Sequence, residues 1–170
     1  MVRRMSLFAA VALFVGVISA RAEERKPAEQ PFDDQTFVKT AGSSGMAEVE
    51  LAKIAVEKAK NADVKKFAEM MVKDHGKAND ELKAAAKAAN IEVPNQLSDK
   101  HQKHLDMFKD YKGTDFDKDY IKHMVGSHTD GVALFTQASK EAKNKELKEF
   151  ATRTLPVVQK HLEEAKKLDK

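Results

Sequence analysis

Cysteine is absent, which excludes disulfides, thiolate metal sites, iron–sulfur clusters and thiol catalysis. Tryptophan is absent as well, and 170 residues contain only 7 Gly and 4 Pro. That shortage of turn formers, beside abundant Ala, Lys, Glu and Leu, disfavours an all-β domain and favours helices. No stretch alternates polar and apolar residues over a strand length, so a lipid-facing β-barrel is excluded too. Charge of one sign is also scarce. The formal net charge is +3, but Arg3, Arg4 and Arg21 stand in a segment, residues 1–22, that has no acid. Without it, 30 − 3 = 27 basic residues face 27 acidic ones, a net of zero. The electrostatic case for nucleic-acid binding therefore fails.

Residues 1–22 read as a cleaved signal peptide. A positive start, Met1–Arg4, precedes an apolar run, Met5–Ala20, and a small-x-small site at Ala20-Arg21-Ala22. The apolar run has 16 residues, short of the roughly 20 that span a bilayer. No Cys follows it, so no lipid-attachment site is expected, and after cleavage no integral membrane segment remains. Export to the bacterial periplasm or medium is the expected localisation. Residues 23–34, with two prolines among polar side chains, read as a flexible leader. Residues 35–170 read as one domain, long enough for a real core.

The domain reads as four long helices and a crossover. The patterning predicts helices over about 36–60, 62–89, 117–143 and 145–168, and a short one over 99–111. Asn61 and Asn144 mark tight turns, and Asn90 and Pro94 stop the second helix. The segment 91–116 would cross from one end of the bundle to the other. The expected class is all-α: a four-helix bundle running up-down-down-up. Two internal echoes suggest a duplicated hairpin. FAEMMVKDH (67–75) matches YIKHMVGSH (120–128), and VKKFA (64–68) matches LKEFA (147–151).

Stepping each helix at about 100° per residue places the polar residues. His75, His128 and His161 each fall inside the apolar stripe of a different helix. Glu48 falls at the centre of the less regular stripe of the first. In an up-down-down-up bundle all four lie within about three turns of the same end. Three imidazoles and a carboxylate suit Zn²⁺, Fe²⁺, Mn²⁺ or copper, and Met71 and Met124, one turn before their histidines, add soft donors. The expected ligands are Glu48, His75, His128 and His161; no catalytic residue is assigned. Two alternatives stand beside the metal site: a Glu–His hydrogen-bonded core network and a pH switch. His123 and Asp74 lie at stripe edges, where Asp74 could orient a neighbour. His101 and His104 share a face with Leu97, Leu105 and Phe108, which reads as the packing face of the short helix. Asp115–Asp119 reads as an acidic helix start rather than a calcium loop. Thr154 and Pro156 suggest a bend in the last helix.

The quoted motifs carry a resemblance. Phe37-Val38, GMAEVEL (45–51), VKKFA (64–68), MVKDH (71–75), Met124-Val125 with His128, and Leu155-Pro156 with His161-Leu162 resemble a bacterial family. It is known as domain of unknown function forty-one forty-two. The resemblance covers about residues 35–168. It implies export and a ferritin-like bundle, and no established activity; its members often carry an outer-membrane label. Gly126-Ser127 departs from the pattern, standing where an acid is expected before His128. Ser43-Ser44 replaces a stretch usually richer in Gly and Ala.

The functional expectation is a periplasmic protein binding a transition metal in its core for buffering, storage or sensing. The alternative is a non-catalytic envelope or stress-related protein that binds an unidentified protein partner. A di-iron oxidase fits worst, because that chemistry uses two Glu-x-x-His pairs and the chain has none.

Overall fold

The computed structural model describes residues 31–169. The segments read above as a signal peptide and most of the leader lie outside the described residues. Five helices follow in order: α1 (Asp34–Lys58), α2 (Ala62–Ala88), α3 (Asp99–Lys109), α4 (Phe116–Glu141) and α5 (Lys145–Leu168). No strand occurs among the described residues. None of these helices is long and apolar enough to cross a membrane.

Local chemistry sets the helix ends. Asp33, Asn61, Ser98, Asp115 and Asn144 are N-caps whose side chains accept from a backbone N–H in the first turn. Asn90, at φ 55°, stops α2. The Asn90 N–H donates to Lys87 C=O and the Ile91 N–H to Ala86 C=O, which satisfies the last carbonyls of the helix. α1 begins at Asp34, two residues before the expected start, because Asp33 accepts from Thr36 N at 2.8 Å. The acidic start of α4 is likewise structural: Asp115 caps it and accepts from Lys118 N at 3.1 Å. α5 runs through Pro156 without a break.

Two aspartates tie the helix ends together. Asp117, at the start of α4, accepts from Lys60 N and Asn61 N at the α1–α2 turn, at 3.1 and 2.7 Å. Asp34, at the start of α1, accepts from Lys143 N and Asn144 N at the α4–α5 turn, at 3.0 and 2.8 Å. The two ties are related by one offset, since 117 − 34 = 83 and 144 − 61 = 83. The VKKFA and LKEFA echo has the same offset, 147 − 64 = 83.

α1 pairs mainly with α2, and α4 with α5. The pairs close on each other through α2 with α5 and α1 with α4, and α3 lies on α1. α1 is thus covered by three neighbours, which explains its irregular stripe: Gly42, Ser43, Gly45 and Ala47 are all buried. Lys58 Nζ caps α3 by donating to Phe108 C=O and Lys109 C=O. Two apolar clusters fill the interior. One surrounds Leu51, Phe67, Met71, Phe108, Tyr120 and Met124; the other surrounds Phe37, Leu82, Leu147 and Phe150. The polar residues sit between them.

Candidate metal centre

Glu48 comes from α1, His75 from α2, His128 from α4 and His161 from α5, and all four are buried. His128 and His161 are each only 1 % exposed. The three imidazoles pack ring against ring, with centroids 5.2–5.5 Å apart. One ligand nitrogen from each lies within 4.8 Å of the other two. Glu48 is not in that set. Its Oε2 accepts from His75 Nδ1 at 2.9 Å, and its Oε1 accepts from the Ser127 hydroxyl.

The hydrogen bonds assign the tautomers. His128 Nδ1 lies 2.9 Å from Met124 C=O, which can only accept, so Nδ1 carries a hydrogen. His75 Nδ1 carries one for the same reason, since its partner is a carboxylate. His161 Nε2 lies 3.1 Å from Asp74 Oδ2 and is a donor as well. Each neutral ring is then left with one lone pair. His75 Nε2 and His128 Nε2 face each other at 3.4 Å. His161 Nδ1 is buried and has no hydrogen-bond partner. Two lone pairs at that distance repel unless a cation, a proton or a metal ion, lies between them. A metal–imidazole bond of about 2.0–2.1 Å places tetrahedral or trigonal nitrogens roughly 3.3–3.6 Å apart. The His75–His128 pair already has that spacing.

Electrostatics follow from this arrangement. Burial pushes the Glu48 carboxyl up, but His75, His128 and the Ser127 hydroxyl reverse this and hold its pKa well below the carboxylate range. Burial pushes His75 down, and the Glu48 carboxylate overcomes it, so His75 is raised above the ordinary imidazole value. Burial leaves His128 lowered, against the pull of Glu48. Burial, with His75 nearby, pushes His161 down to about 4. Of the three rings His75 is the one whose charged form is favoured, and when it is protonated its Nε2–H points at His128 Nε2, 3.4 Å away.

The three histidines and Glu48 are brought together from the positions expected of them. Two supporting groups carried weaker signals. Asp74, at a stripe edge, holds His161 rather than its neighbour His75. Ser127, at the departure from the family pattern, bonds Glu48, while the Met124 carbonyl orients His128 in place of an acid. Met71 and Met124 are fully buried in the core cluster that includes Phe67 and Tyr120. His101, His104 and His123 stand apart from the triad. His101 Nδ1 is 2.7 Å from Ser43 Oγ, and the His104 and His123 rings meet edge to face at 5.1 Å.

The model of the domain of unknown function DUF4142 matches residues 19–168. The chain belongs to this family. No curated protein matches it. Among solved structures the chain is similar to "CopM in the Cu(I)-bound form", with TM-score 0.67 and 19% identity over 80% of this chain and 94% of that one. CopM in the Ag-bound form gives 0.65 and 18% over the same shares. A DUF305 fragment from Deinococcus radiodurans gives 0.67 and 12% over 82% of this chain and 97% of that one. At these identities the likeness is one of helical fold.

Proposed function

We propose that this DUF4142 protein is an exported metal-binding bundle that holds one transition-metal ion between His75, His128 and His161. In this reading the signal peptide, residues 1–22, is removed. The leader is residues 23–34, and the mature domain, 35–170, is a ferritin-like up-down-down-up bundle in the periplasm. Glu48 is the fourth member of the centre, the carboxylate that fixes His75 and neutralises the bound charge. The observation that carries the proposal is the pattern of donors. Each histidine has one nitrogen tied to an oxygen (Glu48, Met124 C=O or Asp74) and the other left over; two of these face each other at 3.4 Å, and one nitrogen of each ring lies within 4.8 Å of the other two. Oxygen partners on the outer nitrogens are how proteins orient metal-ligating imidazoles.

Neutral imidazoles without thiolates suit Cu(I), Cu(II) and Zn²⁺. The fold shared with CopM, a protein solved in Cu(I)-bound and Ag-bound forms, supports copper first. A purely structural Glu–His network fits less well, because it leaves His161 Nδ1 buried and unpaired. With one ion, all-protein ligands and no Glu-x-x-His pair, the role is buffering, storage or sensing rather than oxidation. The test is metal analysis of untagged 23–170 beside His75→Ala and His128→Ala. Wild type should hold one ion per chain more than either variant, and the variants should lose the chelator-sensitive part of the melting temperature. No uptake of copper, zinc, iron or manganese would overturn the proposal.

A further inference from the structure

A cleft of about 450 Å³ opens on the side of the bundle where α1, α3 and α4 meet. Its walls carry His101 and His104 from α3 and His123 and Asp130 from α4. Its floor includes Glu48 and Ser127. The same two residues, with Ser44 and Gly131, also line the cavity of about 50 Å³ beside the triad. The residues common to both form the wall between cleft and triad. Glu48 spans it, with Oε1 bonded to Ser127 and Oε2 bonded to His75.

The imidazoles of the cleft are not interchangeable. Ser98 N–H donates to Ser43 Oγ at 2.8 Å, and the same hydroxyl is hydrogen-bonded to His101 Nδ1 at 2.7 Å. His101 is thereby tied to α1 through Nδ1. The two rings left to act as donors are His104 and His123, half-buried and in edge-to-face contact. Burial, with His104 nearby, pushes His123 down to about 4. Lys100 and Lys122 also line the cleft. These offset Glu48 and Asp130, so the cleft does not collect cations by net charge; it offers imidazole nitrogen, which suits copper among other transition metals.

We propose that this cleft is the loading route of the core centre, with His104 and His123 as an outer two-nitrogen site for a soft metal ion and Glu48 as the gate between the two sites. The proposal rests on the core-centre reading above. The ion exchanges the imidazoles of the outer pair for those of the triad. Breaking the Ser127–Glu48 hydrogen bond frees Oε1 to turn toward the cleft while Oε2 stays on His75.

The test uses Ag⁺ with residues 23–170, native mass spectrometry for stoichiometry and stopped-flow mixing for the loading rate. Wild type should take up two ions, His104→Ala/His123→Ala one, and His75→Ala/His128→Ala one. The outer-site double variant should fill its remaining site with unchanged affinity but about tenfold more slowly. Gly126→Leu gives an independent check. A Cβ at Gly126 meets nothing within 4 Å, and the residue lines the cleft, so the side chain fills space without removing a ligand. It should slow loading comparably and leave affinity unchanged. An unchanged loading rate in both the outer-site and the Gly126→Leu variants would overturn the route while leaving the core centre standing. Uptake abolished by His104→Ala/His123→Ala and untouched by His75→Ala/His128→Ala would overturn both the core centre and the route.

Discussion

His75 Nε2 and His128 Nε2 lie 3.4 Å apart with the far nitrogen of each ring already committed to an oxygen. Only a cation relieves that contact, so a proton and a metal ion compete for one position. Because His75 is raised above the ordinary imidazole value of 6.5, the proton is in place at about pH 6. Metal binding should then release about one proton per ion, and affinity should fall as pH is lowered. Calorimetry in two buffers of different ionisation enthalpy measures the proton count. A count of zero at about pH 6 would contradict the assignment.

Asp74 holds His161 by a 3.1 Å hydrogen bond while remaining a third exposed. Asp74→Ala should lower metal affinity by about 10–100-fold with the stoichiometry of the core centre unchanged. Asp74→Asn keeps an acceptor and should lose less. A competition titration against a chelator of known affinity separates the two.

Acid should destabilise the metal-free protein through its depressed histidines. His123 and His161 are lowered from 6.5 to about 4, so between those values the unfolded chain binds the more protons. Stability therefore falls as pH drops through that window. His75 has the opposite sign: its contribution is fully present below 6.5 and is lost only as pH rises through its raised value. It adds no slope on the acid side. Glu48, lowered, contributes stability that is lost as pH falls through the ordinary carboxylate value of 4.5 and below, so it adds to the decline at the acid end. Melting temperatures from pH 7 to 4 should show the decline, and His123→Phe should flatten it.

Tyr120 is fully buried and its hydroxyl has no partner. Removing an unsatisfied buried hydroxyl without changing the ring should stabilise the fold. Tyr120→Phe is expected to add about 1 kcal/mol, roughly 2–4 °C in melting temperature. A loss of stability would mean that the hydroxyl is satisfied in solution.

Asp34 and Asp117 do equivalent work at the two ends of the bundle, each accepting from two backbone N–H groups of the opposite hairpin turn. Asp34→Ala and Asp117→Ala should each cost about 1–2 kcal/mol. Urea unfolding of the metal-free chain gives both values, and the double variant tests whether they add.

By itself the sequence determined the helical class, the caps and the radial position of each core histidine. These depend on local periodicity and on side chains reaching their own backbone, which a linear chain already contains. Asn61, Ser98 and Asn144 cap where they stand because the N–H groups they serve are two or three residues away. The tertiary structure alone decided what each nitrogen faces. That Asp74 serves His161, 87 positions away, and that Ser127 serves Glu48, 79 positions away, depends on how helices far apart in the chain register against one another. The same register divides the roles among the four core residues, leaving three nitrogens free and both oxygens of Glu48 engaged. Periodicity can say which face of a helix a residue occupies. It does not say which atom of a buried ring is left without a partner, because that is set by contacts between helices.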